Sequence, residues 1–146
     1  MSCSTRKLPR PDRRLLPSSA LVSAAVSTLF DFHKIWGYVA IGLNAIAGVV
    51  ALVAWRWKPA RGKYVWIITI IAEAALMLQV LVGTILVASK DYVAPRFHMF
   101  YGFVAFLTVG IAYQYRRQMR GRSEMFYGLV GLFLMGLGIR AVLQAG

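Results

Sequence analysis

His33 and His98 are the two histidines of the 146-residue chain, and each begins a similar stretch. Phe32-His33-Lys34-Ile35-Trp36-Gly37-Tyr38-Val39-Ala40 aligns with Phe97-His98-Met99-Phe100-Tyr101-Gly102-Phe103-Val104-Ala105. Phe, His, Gly, Val and Ala are identical, and an aromatic precedes each Gly. At helical spacing Gly37, Ala40, Asn44, Ala47 and Ala51 share a face with His33; Gly102, Ala105, Val109 and Ala112 share one with His98. A histidine thus stands over a lane of small residues twice. One reading is close helix packing, because small residues admit a neighbouring backbone and polar side chains bond across. The other is a flat cofactor seated in the lane. Two imidazoles without a carboxylate or thiolate beside them suit haem iron. The expectation is haem b with His33 and His98 as the metal ligands and Gly37 and Gly102 making room for the ring.

Something must hold these histidines at one level. The chain is 59% hydrophobic, with a mean hydropathy of +0.62, more apolar than an ordinary soluble domain. Four apolar runs, at about 35–54, 64–88, 97–113 and 125–145, are each near the ~20 residues needed to cross the hydrocarbon core. They lack the alternation of barrel strands, so the fold class expected is all-α: four transmembrane helices in an up-down-up-down bundle made of two repeated hairpins. The turns Arg61-Gly62-Lys63 and Arg120-Gly121-Arg122 and the outer-half glycines Gly83 and Gly136 extend the repeat. The first and third helices of such a bundle are diagonal, roughly 12–14 Å apart, a gap that two inward imidazoles can bracket around one metal.

The net charge of +12, from 17 Lys and Arg against 5 Asp and Glu, falls almost wholly outside the apolar runs. That is a membrane pattern, so the partner is a lipid bilayer and nucleic acid is excluded. Arg56, Lys58, Arg61 and Lys63 fill the first loop, and Arg116, Arg117, Arg120 and Arg122 the third. The positive-inside rule then places loops 55–63 and 114–124 in the cytoplasm and loop 89–96 outside a cell membrane. Arg6, Lys7, Arg10, Arg13 and Arg14 oppose this. Residues 1–29 are therefore read as a basic leader, signal-like or disordered, ahead of a four-helix domain at 30–146. Cys3, the single cysteine, lies in that leader and has no partner for a disulfide or zinc site.

Other polar residues fall within the spans. Asn44 and Glu73 lie near mid-depth, where hydrogen-bonded structural roles are expected, and Gln79 lies higher in the second helix. Arg140, near the outer end of the fourth, either snorkels to the interface or meets an anionic group such as a haem propionate.

Leu78-Gln79-Val80-Leu81-Val82-Gly83-Thr84-Ile85-Leu86-Val87, followed by a loop and His98, resembles the Gln-x-x-x-Gly-x-x-x-Val…His pattern of haem A synthases. His33-Lys34-Ile35-Trp36-Gly37 is similar to that family's His-Arg helix start with a glycine four residues after the histidine. The resemblance covers about residues 31–115 and, more weakly, the fourth helix. It implies one four-helix half of a two-half family, with His33 and His98 at the axial-ligand positions. The family's glutamate upstream of the first histidine has only Asp31 here, at a different offset, and one half cannot seat both a substrate and a cofactor haem. The resemblance therefore implies haem binding rather than haem A synthesis, and no catalytic residue is assigned.

Three functions fit. A haem-b protein would serve electron transfer or haem handling, alone, beside other membrane redox subunits or with a second copy of itself. A non-catalytic accessory or assembly subunit would use the histidines only to pack helices and carry no cofactor. A haem-modifying enzyme would need a dimer to restore two halves.

Overall fold

Apolar segments in lipid must pair their main-chain polar groups within themselves, and the helix is the form that does so. The computed structural model describes residues 17–89 and 93–145. Among them are four α-helices, α1 (Pro17–Arg56), α2 (Lys63–Ala88), α3 (Arg96–Tyr115) and α4 (Ser123–Leu143), with a single 3-10 turn at Lys58–Ala60 in the first connection. Each helix is long and apolar enough to cross a membrane. The chain is an all-α, multi-pass membrane protein built as a four-helix bundle. Its outward faces carry large apolar side chains such as Ile46, Ile67, Phe103 and Leu129, as a lipid-facing surface should.

α1 begins well before the expected residue 35. At 40 residues and ~1.5 Å per residue it is about 60 Å long, twice the ~30 Å hydrocarbon core. The described part of the leader, 17–29, is the start of α1 rather than a separate segment. Pro17 suits a first helical position, and neither Gly nor Pro interrupts the chain between it and Gly37. Most of these turns are exposed, Leu21 at 71%. Residues 1–16, with Cys3, lie outside the described residues.

Two kinds of contact hold α1. Toward α2 it uses polar clips. Trp36 Nε1 donates to Ala75 O at 3.0 Å. Asn44 Nδ2, 1% exposed, donates to Ala72 O at 3.0 Å and to Ala40 O at 2.9 Å. Toward α4 it uses backbone approach. A Cβ on Gly131 would lie 3.0 Å from Gly48 Cα and from Asn44 O, and one on Gly48 would lie 2.9 Å from Leu132 N. Only glycine permits helices this close.

The lane predicted on α1 faces inward: Gly37, Ala40, Asn44, Ala47 and Ala51 are all buried. On α3 only Ala105 and Ala112 are buried. α3 packs on α4 and sparsely on α2, and none of its described Cα atoms comes within 8 Å of one on α1. α1 and α3 are therefore the diagonal pair. At the far end, Arg61 Nε lies 3.7 Å from the Glu124 carboxylate, and the Arg116 guanidinium sits 5.0 Å from the Trp66 ring centre. These contacts place the first and third loops at one end of the bundle. Their two glycine turns differ: Gly121 has φ 95°, the left-handed region that favours glycine, whereas Gly62 is extended.

Candidate functional site

α1 and α3 are too far apart for their backbones to meet, yet the His33 and His98 rings reach across. Their centroids lie 6.0 Å apart with planes at 74°. Both line a cavity of about 640 Å³ shared by all four helices, including Gly37 and Ala40, Leu76 and Gln79, Tyr101 and Gly102, and Leu137 and Ala141. Its size falls within the ~300–1,000 Å³ of ordinary ligand pockets. Ala94, from the segment before α3, is buried in its lining.

The two histidines are seated differently. His98 Nδ1 lies 2.9 Å from Ala141 O. A carbonyl only accepts, so Nδ1 carries the proton and Nε2 keeps its lone pair. Ala141 is in the last turn of α4, where carbonyls lack donors further along the helix; the Ala145 N–H goes to Val142 O instead. His98 thus caps α4 through Nδ1 and leaves Nε2 free; an outer hydrogen bond of this kind is what fixes an imidazole where one binds a metal.

His33 is held from α2. Gln79 Nε2 donates to His33 O at 2.9 Å and lies 3.3 Å from His33 Nε2. One turn on, Gly83 makes room for the ring, since a Cβ there would come 2.8 Å from His33 Cε1. The Gln-x-x-x-Gly spacing therefore has a local physical meaning: the amide clamps the histidine and the glycine admits its imidazole. The sequence showed this pair without showing that it faced His33. Neither His33 Nδ1 nor Gln79 Oε1 has a hydrogen-bond partner, and both are buried.

Gly37 and Gly102 both line the cavity but are not equivalent. A Cβ on Gly37 would lie 2.9 Å from Gln79 Nε2, whereas one on Gly102 would meet nothing within 4 Å. The open lane is on α3; the α1 lane is filled by the Gln79 amide. Arg140 is exposed and is not among the lining residues. Glu73 Oε1 is buried without a partner, so the polar clips between α1 and α2 belong to Trp36, Asn44 and Gln79 rather than to this carboxylate.

The donor set can be tested against haem. Among the described residues no three His, Cys, Asp or Glu side chains gather as a metal site, and two imidazoles alone are fewer than the four ligands a bare ion such as zinc takes. Two imidazoles do complete an iron already held by a porphyrin. His98 Nε2, the unpartnered His33 Nδ1 and the apolar lining are the groups that would hold it. No protein-family model, curated protein or solved structure matches the chain, so the site's own geometry carries the functional argument.

Proposed function

We propose that this chain binds haem b between α1 and α3, with His33 and His98 as axial ligands, and serves electron transfer or haem handling in a cell membrane. The observation that carries the reading is the pair of imidazoles meeting across diagonal helices, with 6.0 Å between ring centres, in the lining of one largely apolar cavity. Bound between two imidazoles, haem supplies a one-electron couple at iron. The residues do the rest. Ala141 O holds the proton on His98 Nδ1, Gln79 anchors the main chain at His33, and apolar walls of Leu76, Leu137 and Phe106 exclude water. The resemblance to one half of a haem A synthase points the same way. Arg140 takes the snorkelling role, because it stands clear of the cavity. Protein purified in mild detergent from haem-replete cells should be red, with about one haem b per chain and a low-spin, six-coordinate Soret band. Colourless protein from such cells refutes the reading.

The accessory-subunit reading has one observation in its favour: the exposed apolar turns at the start of α1, which offer a surface to another membrane subunit. Colourless protein that co-purifies with a partner would support it.

The proposed orientation keeps loops 55–63 and 114–124 in the cytoplasm and 89–96 outside, on the strength of eight basic residues in the first and third loops. A Ser89→Cys variant carrying Cys3→Ser should react with an impermeant thiol reagent on intact cells. Reaction only after lysis inverts the topology.

A further inference from the structure

The cavity's walls are unequal. Its lining residues on α1 (His33, Gly37, Ala40, Ile41) and α4 (Leu137, Gly138, Ala141, Val142) are all buried or half-buried. The exposed ones lie on α2 and α3: Leu81, Thr84, Val87 and Ala88 on one side, Met99, Phe103 and Phe106 on the other. Leu81 is 57% and Phe103 58% exposed. The exposed rim is thus a slot between the two adjacent helices that touch least, while Ala94 lies buried at the outer end. Leu81 is seven residues before the end of α2 and Phe106 ten residues past the start of α3, so the slot extends roughly 10–15 Å along the bundle from that end. That depth is hydrocarbon rather than water. Its rim is apolar apart from Thr84, whose hydroxyl is turned back to Val80 O at 2.8 Å.

We infer that the cavity is loaded sideways, from the bilayer, through the slot between α2 and α3, and that its ligand is a membrane-dissolved planar amphiphile. This rests on the proposed function, in which that amphiphile is haem b. The polar groups sit at the inner wall: His33 and Gln79 on one side and His98 on the other. A ring entering edge-on between Leu81 and Phe103 meets apolar side chains first and the imidazoles last. Gly102, with nothing within 4 Å of its Cβ direction, lies along that path. α3 buries little against its neighbours, so it is the wall best able to give way.

The test uses full-length apoprotein in phosphatidylcholine vesicles, given ferric haem b either dissolved in the same bilayer or bound to albumin in the buffer. Growth of the six-coordinate Soret band reads loading. Bilayer haem should load faster, at a rate that rises with its density in the membrane. Thr84→Trp, which narrows the slot without touching a histidine, should slow loading and release together by about tenfold. Phe103→Ala should speed both, which keeps the test valid if the bulky variant folds poorly. Ile46→Trp, on the lipid face of α1 and away from the cavity, controls for an added indole. Wild-type protein that binds haem with a normal spectrum but loads as fast from albumin as from the bilayer, with Thr84→Trp and Phe103→Ala loading at the wild-type rate, overturns the sideways route and leaves the haem reading standing. Wild-type protein that forms no Soret band from either source overturns both.

Discussion

His33 and His98 occupy matching positions in the repeated stretch, but the molecule holds them by different means. His33 sits on a helix gripped from both sides, by polar clips from α2 and by glycine contacts with α4. Its seat is made of side chains, Gln79 and Gly83, and it leaves Nδ1 buried without a partner. His98 sits on the least buried helix, and its seat is a main-chain carbonyl at the end of α4. Evolution or mutagenesis can rebuild the first seat one residue at a time. The second can be changed only by moving a backbone. The repeated stretch thus carries one histidine on a clamped helix and the other as a cap on a loosely packed one. That division suits the proposed site, whose second wall would have to yield to admit a ring.

The largest effect expected comes from removing either histidine of the proposed site. His33→Ala and His98→Ala should each abolish the six-coordinate spectrum. They should differ in the fold: His98→Ala strips the cap from Ala141 O and costs about 0.5–1.5 kcal/mol, whereas His33→Ala leaves the Gln79 bond to the main chain intact. Unfolding of the two variants in matched detergent reads the difference. Equal destabilisation would break the distinction between a capping and a non-capping histidine.

The next effect concerns the clamp on α1. Gly131→Val places a branched side chain where Gly48 Cα and Asn44 O already lie within 3.0 Å of a Cβ. Overpacking of this kind costs about 1–3 kcal/mol or more, and here it separates two helices rather than two side chains. Thermal unfolding should fall sharply, with haem lost as a consequence of His33 moving. If the variant keeps both its stability and its Soret band, α1 is not the fixed member of the pair.

Gly83→Ala acts more locally. Its Cβ would press on His33 Cε1 at 2.8 Å, so the ring must rotate while the helices stay in place. A shift toward a five-coordinate spectrum with little change in unfolding is expected. The reverse pattern, a wild-type spectrum on an unstable protein, would make Gly83 a helix-packing residue only.

Much of this was legible in the sequence. The spans followed from hydropathy, and the inward lane on α1 followed from helical spacing, because both properties are local. The beginning of α1 was missed because hydropathy reports the membrane and not the helix: Ser18, Ser19, Ser23, Ser27 and Thr28 lower the apolar content of a stretch that nothing stops from being helical. Pro17 was the available signal. The partners of Gln79, Gly83 and Ala141 could not be read, since they depend on how neighbouring helices are rotated. The likeness of Gly83 and Gly136 misled for the same reason: a Cβ on Gly136 meets nothing within 4 Å, while Gly138 is the residue on α4 that abuts Ile41.

The smallest effect is the sharpest test of the cavity itself. Gly37 and Gly102 are matched in sequence and both line the cavity, so a purely sequence-based view expects alanine to act alike at the two. At Gly37 the new methyl would meet the Gln79 amide at 2.9 Å, and the amide must shift from the bond that holds His33 O. At Gly102 the methyl enters open space. Alanine also favours a helix over glycine by up to about 1 kcal/mol, so Gly102→Ala should leave unfolding unchanged or slightly improve it. If haem occupies the cavity the same methyl would take up some of its space, and affinity should fall only modestly. Gly37→Ala should instead loosen the His33 seat and weaken the low-spin signal even where stability is kept. Measuring haem affinity and unfolding for the two variants side by side therefore separates a filled lane from an open one. A Gly102→Ala protein as damaged as Gly37→Ala would mean that α3 packs against the bundle where the structure has a cavity, and the asymmetry between the two histidines would lose its physical basis.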